Sequence, residues 1–153
     1  MEYMKMPESL DDMVDMADQL VERYLKTQSP LDLLGCVLAV SHIADWYYHS
    51  REELNKQKLK EFLKDFSSTY PEWNTIRQLG NGLKHAEVRP GQAHHNHLEL
   101  RDYEWEDADA WSHLGTSRKP WYVRHKGRDR TVDGLCKFFL ESFKINEMKR
   151  DSG

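Results

Sequence analysis

The chain has 153 residues, a length that fits one domain burying its own core without a disulfide framework or a structural metal. Apolar residues at 39% against 31% charged exclude a disordered chain, and five Trp, seven Tyr and five Phe supply large surfaces to bury. A formal charge of -4 excludes a globally basic nucleic-acid or membrane binder, so any anion site has to be local.

Cys36 and Cys136 each fall in an apolar helical stretch and read as buried free thiols. The acidic start, Met1 to Asp12, lacks the apolar stretch of a signal peptide. No apolar run approaches the roughly 20 residues of a membrane span. The expected setting is a reducing cytoplasm, with no membrane partner and no cofactor.

In chain order, a first helix is predicted from Ser9 to Lys26. Ser9 can cap it, Asp11 and Asp12 suit its positive end, and Leu10, Met13, Val14, Ala17, Leu20, Val21, Tyr24 and Leu25 recur at helical spacing. A second opens at Ser29-Pro30, since proline is favoured at a first helical position. It runs to about His49, and its first half is apolar nearly all round, which predicts a central helix. Ser50-Arg51-Glu52-Glu53 reads as a capping box opening a third helix, with the stripe Leu59, Phe62, Leu63 and Phe66 and an end at Ser67-Ser68-Thr69. A fourth helix runs from Pro71 to about Ala86, with Trp73, Ile76, Leu79 and Leu83 on its core side. Its Gly80 and Gly82 cost helix stability and predict close packing or a special backbone.

Past Val88 the pattern changes. His97 to Trp105 and Trp121 to His125 read as short strands, with Lys126-Gly127 as a turn. The segment Leu98 to Trp111 is acidic, whereas Thr116 to Arg130 is basic. Opposite charges pair well across a sheet, which predicts a self-neutralising hairpin. Thr131 can cap a last helix with the stripe Val132, Leu135, Cys136, Phe139, Leu140 and Phe143. The predicted fold is mainly α: one domain over residues 1–153, a bundle of about five helices with a small β-hairpin (about 96–126) inserted before the last.

Two helices carry polar residues within or beside apolar stripes. At about 100° per residue, Leu34, Leu38, Asp45 and His49 fall within a quarter of the second helix, with His42 one turn before Asp45. On the fourth, Arg77, Asn81, Lys84 and His85 flank the apolar side, and Arg77, Asn81 and Lys84 are spaced to act together. If these two helices pack, a shared polar site follows. It reads either as a structural network, in which Asp45 neutralises Arg77 or Lys84, or as an anion- or RNA-binding site.

The segment Ile76-Arg77-Gln78-Leu79-Gly80-Asn81-Gly82-Leu83-Lys84-His85 resembles the late-helix signature of HEPN-like domains. His42-Ile43-Ala44-Asp45-Trp46-Tyr47-Tyr48-His49 on an earlier helix is similar to small bacterial or phage proteins of the same sort. Such families are helical bundles, often homodimeric. Many are toxin or defence ribonucleases that cut RNA without metal, and others are inactive binding partners. The resemblance implies Arg77 as phosphate binder, His85 as acid–base group and Asn81 as a polar helper; helical placement adds His42, Asp45, His49 and Lys84 as candidate binding residues beside them. Seven residues separate Arg77 from His85, more than the RNase motif usually places there, so His85 turns about 80° from Arg77 around the helix.

Other signals are weaker. His94, His95 and His97, or His42, Asp45 and His49, are alternative metal ligands, though neither set has a zinc-site spacing. Trp121 and Tyr122 among the cations of Arg118 to Arg130 suit single-stranded nucleic acid. The leading expectation is a HEPN-like module acting on or binding RNA. The alternatives are a non-catalytic protein-interaction module, antitoxin-like or a phage accessory factor, and a metal-dependent hydrolase.

Overall fold

The computed structural model describes residues 6–51, 56–84, 99–100 and 121–148, with only the backbone described for Lys56, Gln57, Leu83, Lys84, Glu99 and Leu100. It is mainly helical, as expected: α1 (Leu10–Thr27), α2 (Pro30–Arg51), α3 (Lys56–Thr69), α4 (Pro71–Lys84) and α5 (Val132–Phe143), which ends in a π-helical turn, Lys144–Met148. Between α4 and α5 lies an antiparallel sheet of β1 (Glu99–Leu100), β2 (Trp121–His125) and β3 (Arg128–Thr131), in that spatial order. Among the described residues, no helix is long and apolar enough to cross a membrane.

Local chemistry sets the helix ends. The Ser9 hydroxyl accepts the Asp12 N–H at 3.1 Å, and the Thr131 hydroxyl accepts from Gly134 N, so both predicted caps form. Pro30 is the first residue of α2, and the Arg23 guanidinium reaches Asp32 at 3.1 Å, tying α1 to the start of α2. The third-helix start needs correction. Ser50 does not open a helix; α2 continues through Arg51, and the Ser50 hydroxyl donates back to the Tyr47 carbonyl at 2.7 Å. A hydroxyl bonded to its own preceding turn cannot cap the next helix. The end of α3 at Thr69 agrees with the sequence, and the Ser67 hydroxyl there likewise turns back, onto the Leu63 carbonyl at 2.8 Å.

The predicted strand Trp121–His125 and the Lys126-Gly127 turn both form, and the sheet extends beyond the predicted span. β2 pairs with β3, the next segment in the chain, through the Lys126-Gly127 turn, so the hairpin extends to Thr131. Two adjacent residues at positive φ (49° and 74°) close this turn, the tight geometry that favours pairing nearest neighbours. The acidic segment contributes β1, with Glu99 opposite Tyr122 and Leu100 opposite Trp121 on the other edge of β2. The rest of that segment, the histidines at 94, 95 and 97, and residues 149–153 lie outside the described residues.

α2 is the central helix. It packs against α1, α3, α4 and α5, and Leu33, Cys36, Val37, Val40, Ile43, Ala44 and Tyr47 are all buried. An aromatic cluster fills the space between α2, α3, α4 and α5. Phe66 lies edge-on to Trp73 with centroids 4.8 Å apart, and Phe139 and Phe143 of α5 close it from below. The Trp73 indole N–H donates to the Val40 carbonyl at 3.1 Å, satisfying a fully buried donor. Gly80 explains the predicted close packing: a Cβ there would stand 2.8 Å from Ser41 Oγ and 3.4 Å from a Val37 methyl. α4 therefore approaches α2 at backbone distance.

Both cysteines are free and fully buried. Burial pushes the Cys36 thiol up to about 12, and burial, with Cys36 nearby, raises Cys136 well above its usual value. Because the thiolate is the reactive species, native protein at pH 8 should not react with an aromatic disulfide reagent, and denatured protein should release two equivalents. Rapid native labelling would contradict the buried placement.

Candidate functional site

The contact between α2 and α4 brings the two predicted polar sets onto neighbouring helices. His42 and Asp45 pair with each other, His42 Nδ1 to Asp45 Oδ2 at 3.6 Å, and both are nearly half exposed. His49 is exposed, next to the Tyr48 ring. The quarter of α2 that carries Leu34, Leu38, Asp45 and His49 is thus a rim rather than a sealed core.

On α4 the Arg77 guanidinium lies over the Trp73 ring, 5.3 Å from its centroid, and the residue is half-buried. Asp45, its partner in the structural alternative read from the sequence, pairs with His42 instead, and the guanidinium packs on the ring. Asn81, one turn on, is exposed. Lys84 ends the described part of α4, with only its backbone described, and His85 lies outside the described residues. Chemically, a guanidinium packed on an indole keeps its N–H edge for an anion while its apolar faces are covered. Among the described residues no group of three His, Cys, Asp or Glu side chains is placed to hold a metal, the set His42, Asp45 and His49 included.

Two polar clusters were not read from the sequence. One joins β2 to the first two turns of α4. His125 is buried; its Nδ1 lies 2.6 Å from Thr75 Oγ1, and its Nε2 faces the Glu72 carboxylate at 3.6 Å. Burial lowers the His125 pKa from its usual 6.5; Glu72 opposes this, while Lys126 and Arg130 add to it. Strand alternation was the available signal: Val123 and His125 share the inward face, and Glu72 and Thr75 are one helical turn apart.

The other cluster joins the π-helical turn to the bundle. The Glu147 carboxylate accepts both the Tyr70 hydroxyl, at 2.9 Å, and the Tyr47 hydroxyl. Burial and this carboxylate push the Tyr47 phenol up to about 12. Arg51 lies over the Tyr47 ring, 4.8 Å from its centroid. Beside them an open groove of about 780 Å³ runs between Asp11 and Asp15 of α1 and Arg51 of α2. Glu147 is a hundred residues from Tyr47, so no local pattern could have paired them.

No protein-family model matches this chain, and no curated protein or solved structure matches it either. Geometry and chemistry therefore carry the functional reading.

Proposed function

We propose that this chain is a HEPN-like helical module that binds RNA along the outer flank of α4. Arg77 is the phosphate contact, and Asn81 and Lys84 extend the flank. The observation that supports this reading is the Arg77 guanidinium, half-buried on Trp73 and neutralised by no carboxylate among the described residues. A half-exposed guanidinium held on an indole face keeps N–H donors free for an anion. His42, Asp45 and His49 belong to the neighbouring rim of α2. In the same reading His85 is the acid–base group for metal-independent cleavage through the 2′-hydroxyl, with Arg77 stabilising the phosphorane charge.

The test is binding and cleavage of a labelled mixed-sequence RNA by wild type, Arg77→Ala and His85→Ala. Arg77→Ala should weaken binding about tenfold and reduce the salt dependence by about one phosphate contact. If cleavage occurs, His85→Ala should abolish it while leaving binding in place. Wild type that fails to bind RNA at low salt, or Arg77→Ala that binds equally well, would overturn the reading. The second reading, a non-catalytic protein-interaction module, is favoured by Phe138 and Ile145, which leave large apolar surfaces exposed near the end of α5. Stoichiometric capture of a protein partner without RNA binding would select it.

A further inference from the structure

We propose that His125 is a proton-operated latch that docks the β2–β3 hairpin on α4 when neutral and loosens it when protonated.

The hairpin packs on α5 through both strands, and His125 adds a buried polar contact to α4. Its ring reaches across from the last position of β2 to Glu72 and Thr75 in the first two turns of α4. The Thr75 hydroxyl also lies 3.3 Å from the Pro71 carbonyl. In the neutral ring with a proton on Nε2, Nδ1 accepts the Thr75 hydroxyl at its short 2.6 Å distance, and Nε2–H points at Glu72. The second ring nitrogen is buried, and 3.6 Å is too long for a direct hydrogen bond.

Adding a proton changes three things together. Nδ1 becomes a donor, so the Thr75 hydroxyl must turn its own proton away toward Pro71. A cation now occupies a site from which water is excluded, a cost that Glu72 offsets only in part across 3.6 Å. Burial is the main cost, and the surrounding charges are divided. Lys126 follows His125 in the turn, Arg128 is its cross-strand partner, and Arg130 lies on the same strand. Glu72 is the opposing charge from α4. α5 also packs on β2 and β3 and carries the buried acid Asp133.

The sign follows from linkage. A histidine that is harder to protonate in the docked state than in the loosened one stabilises docking fully above pH 6.5, and that contribution is lost as pH falls below it. The lowered direction of the shift agrees with the geometry.

The experiment is hydrogen exchange of the full chain, read as protection factors between pH 7.5 and 5, together with NMR titration of the His125 ring. In wild type, the His125 midpoint should lie below 6.5, and protection at Val123 and His125 should fall about threefold or more in that window. The buried amides of α2 should hold. His125→Asn, whose side-chain oxygen can accept the Thr75 hydroxyl, should keep hairpin protection constant over the same range. A His125 midpoint at or above 6.5, hairpin protection that rises on acidification, or an unchanged pH response in His125→Asn would each overturn the proposal. If His125→Asn does not fold, the wild-type ring titration and hairpin protection decide it. RNA binding plays no part in this readout, so its failure and that of the proposed function are separable.

Discussion

Trp73→Ala should lower unfolding stability by about 3–5 kcal/mol, the largest loss expected of any single substitution in the described core. The indole is fully buried and is the largest such side chain. Truncation opens a cavity between α2, α3 and α4, removes the edge-on contact with Phe66, and leaves the Val40 carbonyl without its indole donor. A single domain commonly has only about 5–15 kcal/mol in total, so a marked fall in thermal midpoint follows. Trp73→Phe separates the causes: it keeps much of the ring and drops the N–H, and should cost about 1–3 kcal/mol. Urea unfolding of both variants checks this, and a loss below about 1 kcal/mol for Trp73→Ala would show the site to be poorly packed. Trp73 is also the platform for Arg77, so on the proposed reading Trp73→Phe should retain RNA binding far better than Arg77→Ala does.

Gly80→Leu should cost about 2–3 kcal/mol by forcing α4 away from α2. The clash begins at the first side-chain carbon, 2.8 Å from Ser41 Oγ, and a Val37 methyl blocks the other direction at 3.4 Å. Ser41 is not free to turn aside cheaply, because its hydroxyl donates to the Val37 carbonyl at 2.5 Å. Gly80→Ala sets two terms against each other. Alanine gains about 1 kcal/mol in helix propensity, and the same Ser41 contact takes much of it back. Adding Ser41→Ala to Gly80→Ala should therefore raise the thermal midpoint above that of Gly80→Ala alone. Equal midpoints for wild type and Gly80→Leu would mean that the helices part without cost.

Where the fold was legible in sequence, a local rule governed it. Ser9 and Thr131 cap because a hydroxyl three residues before an amide needs no distant partner. Pro71 opens α4 because its ring already has the helical φ. The apolar circumference of α2 announced a helix surrounded on all sides, and four helices surround it. Ser50 misled because a serine hydroxyl can bond forward as a cap or back to its own helix, and sequence does not choose between them. The pairing of the acidic segment with Trp121–His125 was legible and forms through β1, whereas the further strand Arg128–Thr131 was missed although the short turn at Lys126-Gly127 brings it to the other edge of β2.

The candidate site was legible in part. Helical spacing placed Arg77 and Asn81 on one flank of α4, and His42 and Asp45 on one rim of α2. Whether Arg77 would be spent on Asp45 depended on side-chain direction across a helix interface, which no periodicity encodes. His125 and Glu147 went unnoticed for a related reason: their partners are 50 and 100 residues away.

The sequence by itself determined that the five helices exist, the Ser9 and Thr131 caps, the buried thiols and the central place of α2, because each depends on spacing within one segment. Tertiary structure alone decided that Arg77 rests on an indole, that His125 faces Thr75 and Glu72, and that Glu147 gathers two tyrosines. Those are meetings between segments, fixed by how closely Gly80 lets α4 approach α2 and by which side of β2 turns inward.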